Sequence, residues 1–169
     1  MRHAKQVLPD MNNAALPTSI QTPMKQTVAA RALFEGGLIY TCMSQLFEER
    51  GGPVFDWQET GSQGSLTFEG DVGYGQHEGQ SYTWRLEKTI LQGVLIRSWR
   101  GNDRTDAPWG LYKIEAIVGD NVLSKVNWVQ RTDTQGGAIP VVACSQQFLG
   151  TRHAVKASAL FTFWKDSNF

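Results

Sequence analysis

The clearest pattern along the chain is its last long run, where Val155, Ala157, Ala159, Phe161 and Phe163 alternate with Lys156, Ser158 and Thr162. A period of two places alternate side chains on opposite faces of a strand, so this run reads as β with one apolar face. Residues 65–69 repeat the pattern, with Leu66 and Phe68 facing one way. Residues 54–59 alternate as a half-buried strand, and 81–86 set Tyr82 and Trp84 against polar neighbours. In 123–131, Val126 and Trp128 share one face and Val129 takes the other. Residues 90–99 form a further run whose internal Gly93 points to a bulge or a close backbone approach. The segment 109–118 fits helix or strand by pattern alone. Its β-rich neighbourhood and the turn residues Gly119-Asp120-Asn121 decide for strand.

Nearer the start, 28–35 and 38–43 read as two strands separated by a turn or bulge at Gly36-Gly37. Residues 43–50 are the best helical segment, although about two turns make a marginal helix. Residues 70–79 hold Gly70, Gly73, Gly75 and Gly79 and read as a loop, and 100–108 read as a charged one. The tally is about eight to ten strands with only short helical pieces. Regular strands with turns between them predict an all-β, single-domain antiparallel fold, either a sandwich or a closed barrel. Residues 27–169 form this domain. Residues 1–26 read as an arm, because Pro9, Pro17 and Pro23 interrupt any helix and apolar positions are scattered.

Composition narrows the class. A chain of 169 residues is long enough for one well-filled core. Sixteen basic and 16 acidic residues cancel, so no long-range field recruits nucleic acid. No stretch approaches the roughly 20 apolar residues of a membrane-spanning helix. The two cysteines, Cys42 and Cys144, are either buried thiols or one bridge. Each ends or follows a strand-like run, which favours the bridge. Closing a loop of about a hundred residues stabilises a fold by up to about 4–5 kcal/mol in the chain-entropy model. A bridge fits an extracellular or periplasmic protein. No secretory leader is visible, since residues 6–25 lack an apolar run of about 7–15 residues.

Several of these segments resemble a known family. Tyr40-Thr41-Cys42, Trp57, Gly75-Gln76-His77 and Trp84 belong to the likeness, as do Gln130-Arg131, Gly136-Gly137 with Pro140, Cys144, and Phe163-Trp164. Together they resemble the bacterial and fungal domain-of-unknown-function family 3455, some fungal members of which carry a malate dehydrogenase label. The likeness runs from about Val28 to Trp164 and implies one exported, mostly β domain. The chain departs from the family pattern after His77, where Gln80-Ser81-Tyr82-Thr83 replaces a Gly-Pro before the Trp. Dehydrogenase chemistry finds no support in the residues. There is no Gly-x-Gly-x-x-Gly between a strand and a helix, and no cofactor is expected.

The remaining chemistry is sparse. His3, His77 and His153 show no paired ligand spacing, so no metal site is expected. No Gly-x-Ser-x-Gly elbow presents a serine. His77, in a Gly-rich loop near Asp71 and Glu78, reads as a solvated loop histidine more readily than as a base or ligand. Arg131 beside Asp133 reads as a self-neutralising pair or a substrate clamp. Asp56 and Glu59 are a further paper pair that spacing does not single out. The six tryptophans divide between core filling and a ligand groove. The binding residues expected are His77, Trp84, Arg131 and Asp133, carried on loops of a rigid sheet.

Three functions stay open at this point. The leading one is an exported, non-catalytic module that binds a small ligand or a surface component. The second is an enzyme whose loop-built site uses His77, Arg131 and Asp133. The third is a self-assembling surface protein, in which residues 16–20 of the arm pair with an exposed sheet edge of another copy.

Overall fold

The structure is a computed structural model and describes residues 12–47, 51–100 and 105–167. Eight strands follow one another round a single ring: β1 (Gln26–Phe47), β2 (Gly52–Thr67), β3 (Val72–Glu78), β4 (Ser81–Leu86), β5 (Thr89–Trp99), β6 (Trp109–Val118), β7 (Val126–Gly136) and β8 (Arg152–Asp166). Each pairs antiparallel with the next, and β8 returns to β1. The alternative left between sandwich and barrel resolves to a closed barrel. Closure removes both sheet edges.

Inward and outward positions largely follow the alternation read from the sequence. The exception is β7, where a register shift between Val126 and Trp128 puts Val126 in the same buried cluster as Val129 instead of on the face of Trp128. Phe34 of β1, Leu66 of β2, Trp84 of β4, Tyr112 of β6, Val129 of β7 and Phe163 of β8 belong to one buried cluster in the lumen. Connections β1–β2, β3–β4, β5–β6 and β7–β8 lie at one end, here called upper. The lower end is stopped by apolar side chains. Leu123, in the β6–β7 turn, is fully buried with Phe68 and Leu86 in the same cluster. Asn121 fixes that turn, accepting from the Leu123 amide at 3.0 Å and donating to the Leu86 carbonyl at 2.9 Å.

Four sequence expectations are corrected. Residues 43–47 of the expected helix continue β1, and 48–50 lie outside the described residues. Leu46, inside that expected helix, is 83% exposed and pairs with Pro53 of β2. Cross-strand pairing outweighs a marginal two-turn helix. Gly36-Gly37 does not turn the chain: the two flanking runs are one 22-residue strand. Gly36 instead permits close approach, since a Cβ there would sit 2.6 Å from the Gly64 Cα on β2. The run 54–59 and residues 65–67 of the run 65–69 likewise merge into β2, with Phe68 and Glu69 just beyond its end. Most of the Gly-rich segment 70–79 is β3. Gly73 and Gly75 take inward positions there, so the strand carries no apolar alternation to read.

The arm covers part of the outer wall. Leu111, Gln130 and Thr162 share a register, point away from the lumen, and are fully buried. Residues 12–25 lie over them, through two 3₁₀ turns, Asn13–Ala15 and Thr18–Ile20. Gln130 donates to the Ile20 carbonyl at 2.7 Å and to Asn13 Oδ1 at 3.1 Å, and accepts from Trp164 Nε1 at 2.6 Å. Thr162, assigned by alternation to a polar outer face, is therefore buried under this segment. Residues 1–11 lie outside the described residues.

Candidate functional site

The upper half of the lumen is polar, and neighbouring strands set its geometry. Ser62 on β2 and His77 on β3 are direct cross-strand partners, as are His77 and Tyr82 on β4. Ser62 Oγ lies 2.5 Å from His77 Nδ1, and the imidazole stacks on the Tyr82 ring at a centroid distance of 4.3 Å. Glu59 belongs to the same strand as Ser62, three positions earlier. Strict alternation would turn it outward. A bulge corrects this: Ile39 pairs with Gly61 but Tyr40 pairs with Glu59, leaving Thr60 as the extra residue. Bulges re-aim side chains in this way. Here the result is that Glu59 and Ser62 both face the lumen.

Arg131 enters from β7, in register with Gly110 and Phe161. Its Nη1 lies 3.5 Å from Glu59 Oε1, and its Nε donates to the Pro108 carbonyl at 3.0 Å. His77 Nε2 faces the same carboxylate at 3.8 Å, too far for a hydrogen bond, and has no hydrogen-bond partner. Burial lowers the His77 pKa to about 4, outweighing the upward pull of Glu59. The ring is therefore neutral at neutral pH. Its tautomer follows from its neighbours, with the Nε2 proton toward Glu59 and Nδ1 accepting from Ser62. Tyr112 closes the group from β6, its ring 4.6 Å from that of Tyr82. Burial pushes Tyr40 and Tyr112 up to about 12, so both remain neutral hydroxyls.

A cavity of about 20 Å³ adjoins these residues, lined by Ser62, Tyr82, Trp84, Arg131, Thr134 and Phe161 among others. That volume holds one water molecule or one methyl group. Above it, two connections form a lid. Asp106 bridges to Gly137, and Ala107 packs between Leu38, Tyr40 and Ala157. The Tyr40 hydroxyl donates to the Gly137 carbonyl at 2.5 Å, and Trp57 Nε1 donates to the Val142 carbonyl at 2.7 Å. The Cys42–Cys144 disulfide spans 102 positions and pins the β7–β8 connection to β1. Glu59, with a side chain 19% exposed, is the point where the charged group meets solvent.

Three of the four expected binding residues thus gather in one place. His77 and Arg131 sit on strands inside the barrel, both buried, rather than on solvated loops. The expected loop histidine is a core histidine. Trp84 is 2% exposed and mainly fills the core, with ring contacts to Tyr112 and Phe161, while also lining the cavity. Asp133 is not brought in. It occupies a bulge in β7 with φ 51°, is exposed, and accepts from the Thr132 hydroxyl at 2.8 Å. Arg131 pairs with Glu59 and not with Asp133, because the two β7 side chains leave the strand in different directions. Asp56 is exposed and separates from Glu59 for the same reason.

Glu59, Ser62, Tyr40, Tyr82 and Tyr112 were not singled out as site residues. The available signal was a charge in register with apolar inward residues: Arg131 falls two places after Val129. For Glu59 the equivalent signal was its spacing from Trp57, another inward residue. Among the described residues, no group of three or more His, Cys, Asp or Glu side chains is placed to hold a metal ion. Comparison of the chain with protein-family models, curated proteins and solved structures gives no match.

Proposed function

We propose that this protein is an exported barrel that takes a compact polar ligand into its upper lumen, where Glu59, Arg131, His77 and Tyr112 contact it. One observation carries the reading: His77 Nε2 is buried beside an ion pair without a hydrogen-bond partner. A lumen needed only for stability would be filled by apolar side chains, since a buried ion pair often stabilises less than a well-packed apolar replacement. Each unpartnered buried donor or acceptor costs about 1–3 kcal/mol. A ligand carrying a hydroxyl or carbonyl offsets that cost on binding. The small cavity and the aromatic wall of Tyr82, Trp84 and Phe161 favour a compact molecule with one apolar face. Entry passes through the lid beside Glu59.

Export fits the Cys42–Cys144 bridge, which is of the kind retained in oxidising compartments. It also fits the resemblance to family 3455. Assembly through the arm is the less supported reading, since the eight described strands form a ring and residues 12–25 lie on their own barrel. Thermal-shift screening against small alcohols, amides and carboxylic acids tests the binding reading. Hits should stabilise the wild-type protein and fail with Glu59→Leu/Arg131→Met. Hits that bind the double variant equally well would move the ligand away from this site.

A further inference from the structure

We propose that Ser62 is a nucleophile, activated by His77 and oriented through Glu59, for acyl transfer from short-chain esters that enter the lumen. The inference rests on the reading that the lumen admits a small ligand, and adds a reaction to it. The three side chains are held by adjacent strands rather than by loops, which fixes their separations. Ser62 Oγ is 2.5 Å from Nδ1 of His77, and Nε2 faces Glu59 at 3.8 Å. Nucleophile and base are thus hydrogen-bonded, and the carboxylate faces the far ring nitrogen across 3.8 Å, a gap that shortens to a hydrogen bond when the imidazolium forms. The bulge at Thr60 strengthens the case, since without it Glu59 would leave the lumen. Ser62 also lines the cavity, together with Arg131 and Tyr82.

In the reaction, Ser62 Oγ attacks the ester carbonyl carbon and its proton passes to Nδ1. Glu59 stabilises the imidazolium from the Nε2 side. Arg131 and Tyr82, on the same cavity wall, supply positive charge and a donor for the oxyanion. Collapse breaks the ester C–O bond, and the leaving alkoxide takes the proton from Nδ1. Acyl-Ser62 and an alcohol result. A water molecule then gives its proton to Nδ1 and attacks the acyl carbon; collapse releases the carboxylic acid, and Ser62 Oγ recovers the proton. The cavity of about 20 Å³ beside Ser62 has room for a single methyl group, which limits the acyl chain to the methyl of an acetyl ester.

The test uses the intact folded chain and methanesulfonyl fluoride, a probe whose only carbon is a methyl group and which transfers its sulfonyl group with loss of fluoride. Peptide mass spectrometry should find one adduct, on Ser62. Ser62→Ala should abolish it, and His77→Gln should slow it on the order of a hundredfold. In the wild type, which requires no variant to fold, the labelling rate should be level above pH 6 and fall as His77 is protonated near its pKa of about 4. No adduct at Ser62, or a rate that His77→Gln leaves unchanged, overturns the proposal. Thermal stabilisation by acetamide without a Ser62 adduct would remove the reaction and leave the binding reading standing. Absence of both would remove both.

Discussion

Below Trp84 the lumen is closed by Phe68, Leu86, Leu123 and Phe163; above it the same strands hold Glu59, His77, Ser62 and Arg131. The two halves share register, curvature and alternation. They differ in what satisfies the buried atoms. The lower half is apolar and self-sufficient, with Trp84, Phe161 and Phe163 in edge-to-face or tilted contact. The upper half buries an ion pair and leaves His77 Nε2 unpartnered, and it depends on a lid pinned by a disulfide. The difference teaches that one barrel can separate the residues that stabilise it from those that act. The buried charges are confined to the half that leaves a buried polar atom without a partner.

The largest expected effect lies in the lower half. Phe163 is fully buried, and Phe163→Ala should cost about 3–5 kcal/mol through lost transfer energy and the cavity left behind. Urea denaturation would read this as a lower midpoint with little change in slope. A loss below about 1 kcal/mol would mean the lower half repacks freely, and the contrast between a rigid base and a working mouth would fail.

Removing the disulfide should come next. Cys42→Ser/Cys144→Ser frees a loop of 102 positions, and such losses cost about 2–4 kcal/mol. The local consequence sharpens the comparison. Amide exchange should accelerate in residues 137–151 while Val129 and Phe163 keep their protection. Uniform acceleration would show that the bridge secures the whole barrel rather than its lid.

How much of this was legible depended on which positions carried an alternating signal. β8 announced its inward face through Val155, Ala157, Ala159, Phe161 and Phe163, and all five positions face the lumen. The Cys42–Cys144 bridge was also legible. β3 was not, because Gly73 and Gly75 occupy its inward positions and glycine reads as loop. Residues 43–47 misled in the opposite direction: the end of a long strand, with Met43 and Leu46 exposed, reads as a short helix. The site was half visible. His77, Trp84 and Arg131 stood out by type, but Glu59 depends on one extra residue at Thr60, and Asp133 on a left-handed bulge residue. Both bulges arise from pairing between distant strands, which local alternation does not encode.

His77 gives a pH-dependent contrast between the halves. Above its ordinary pKa of 6.5 the imidazole is neutral in both folded and unfolded chains, so it adds no difference. Between that value and about 4 the unfolded chain binds a proton that the folded chain excludes. Stability therefore falls as pH falls through this window, by up to about 3 kcal/mol once pH is below the folded value. His77→Gln should remove this part of the slope. If the slope persists unchanged in denaturant titrations, the acid sensitivity belongs to other groups, and His77 is not held neutral by burial.

The smallest expected effect on stability is the most discriminating. Glu59→Leu/Arg131→Met replaces the ion pair by apolar side chains of similar reach. In the lower half, altering two buried residues would be costly; here the net change should be within about 1 kcal/mol of zero or stabilising, because desolvation of both charges disappears with their attraction. Each single variant should cost more than the double, since it leaves one charge in the lumen without its partner. The resulting double-mutant cycle would give a large favourable coupling energy between Glu59 and Arg131 beside a near-zero sum. Ligand stabilisation should vanish with the pair although the fold remains. If the double variant instead loses as much stability as Phe163→Ala, the ion pair is holding the barrel together. The upper half would then be a second core, and the separation between the two regions would collapse.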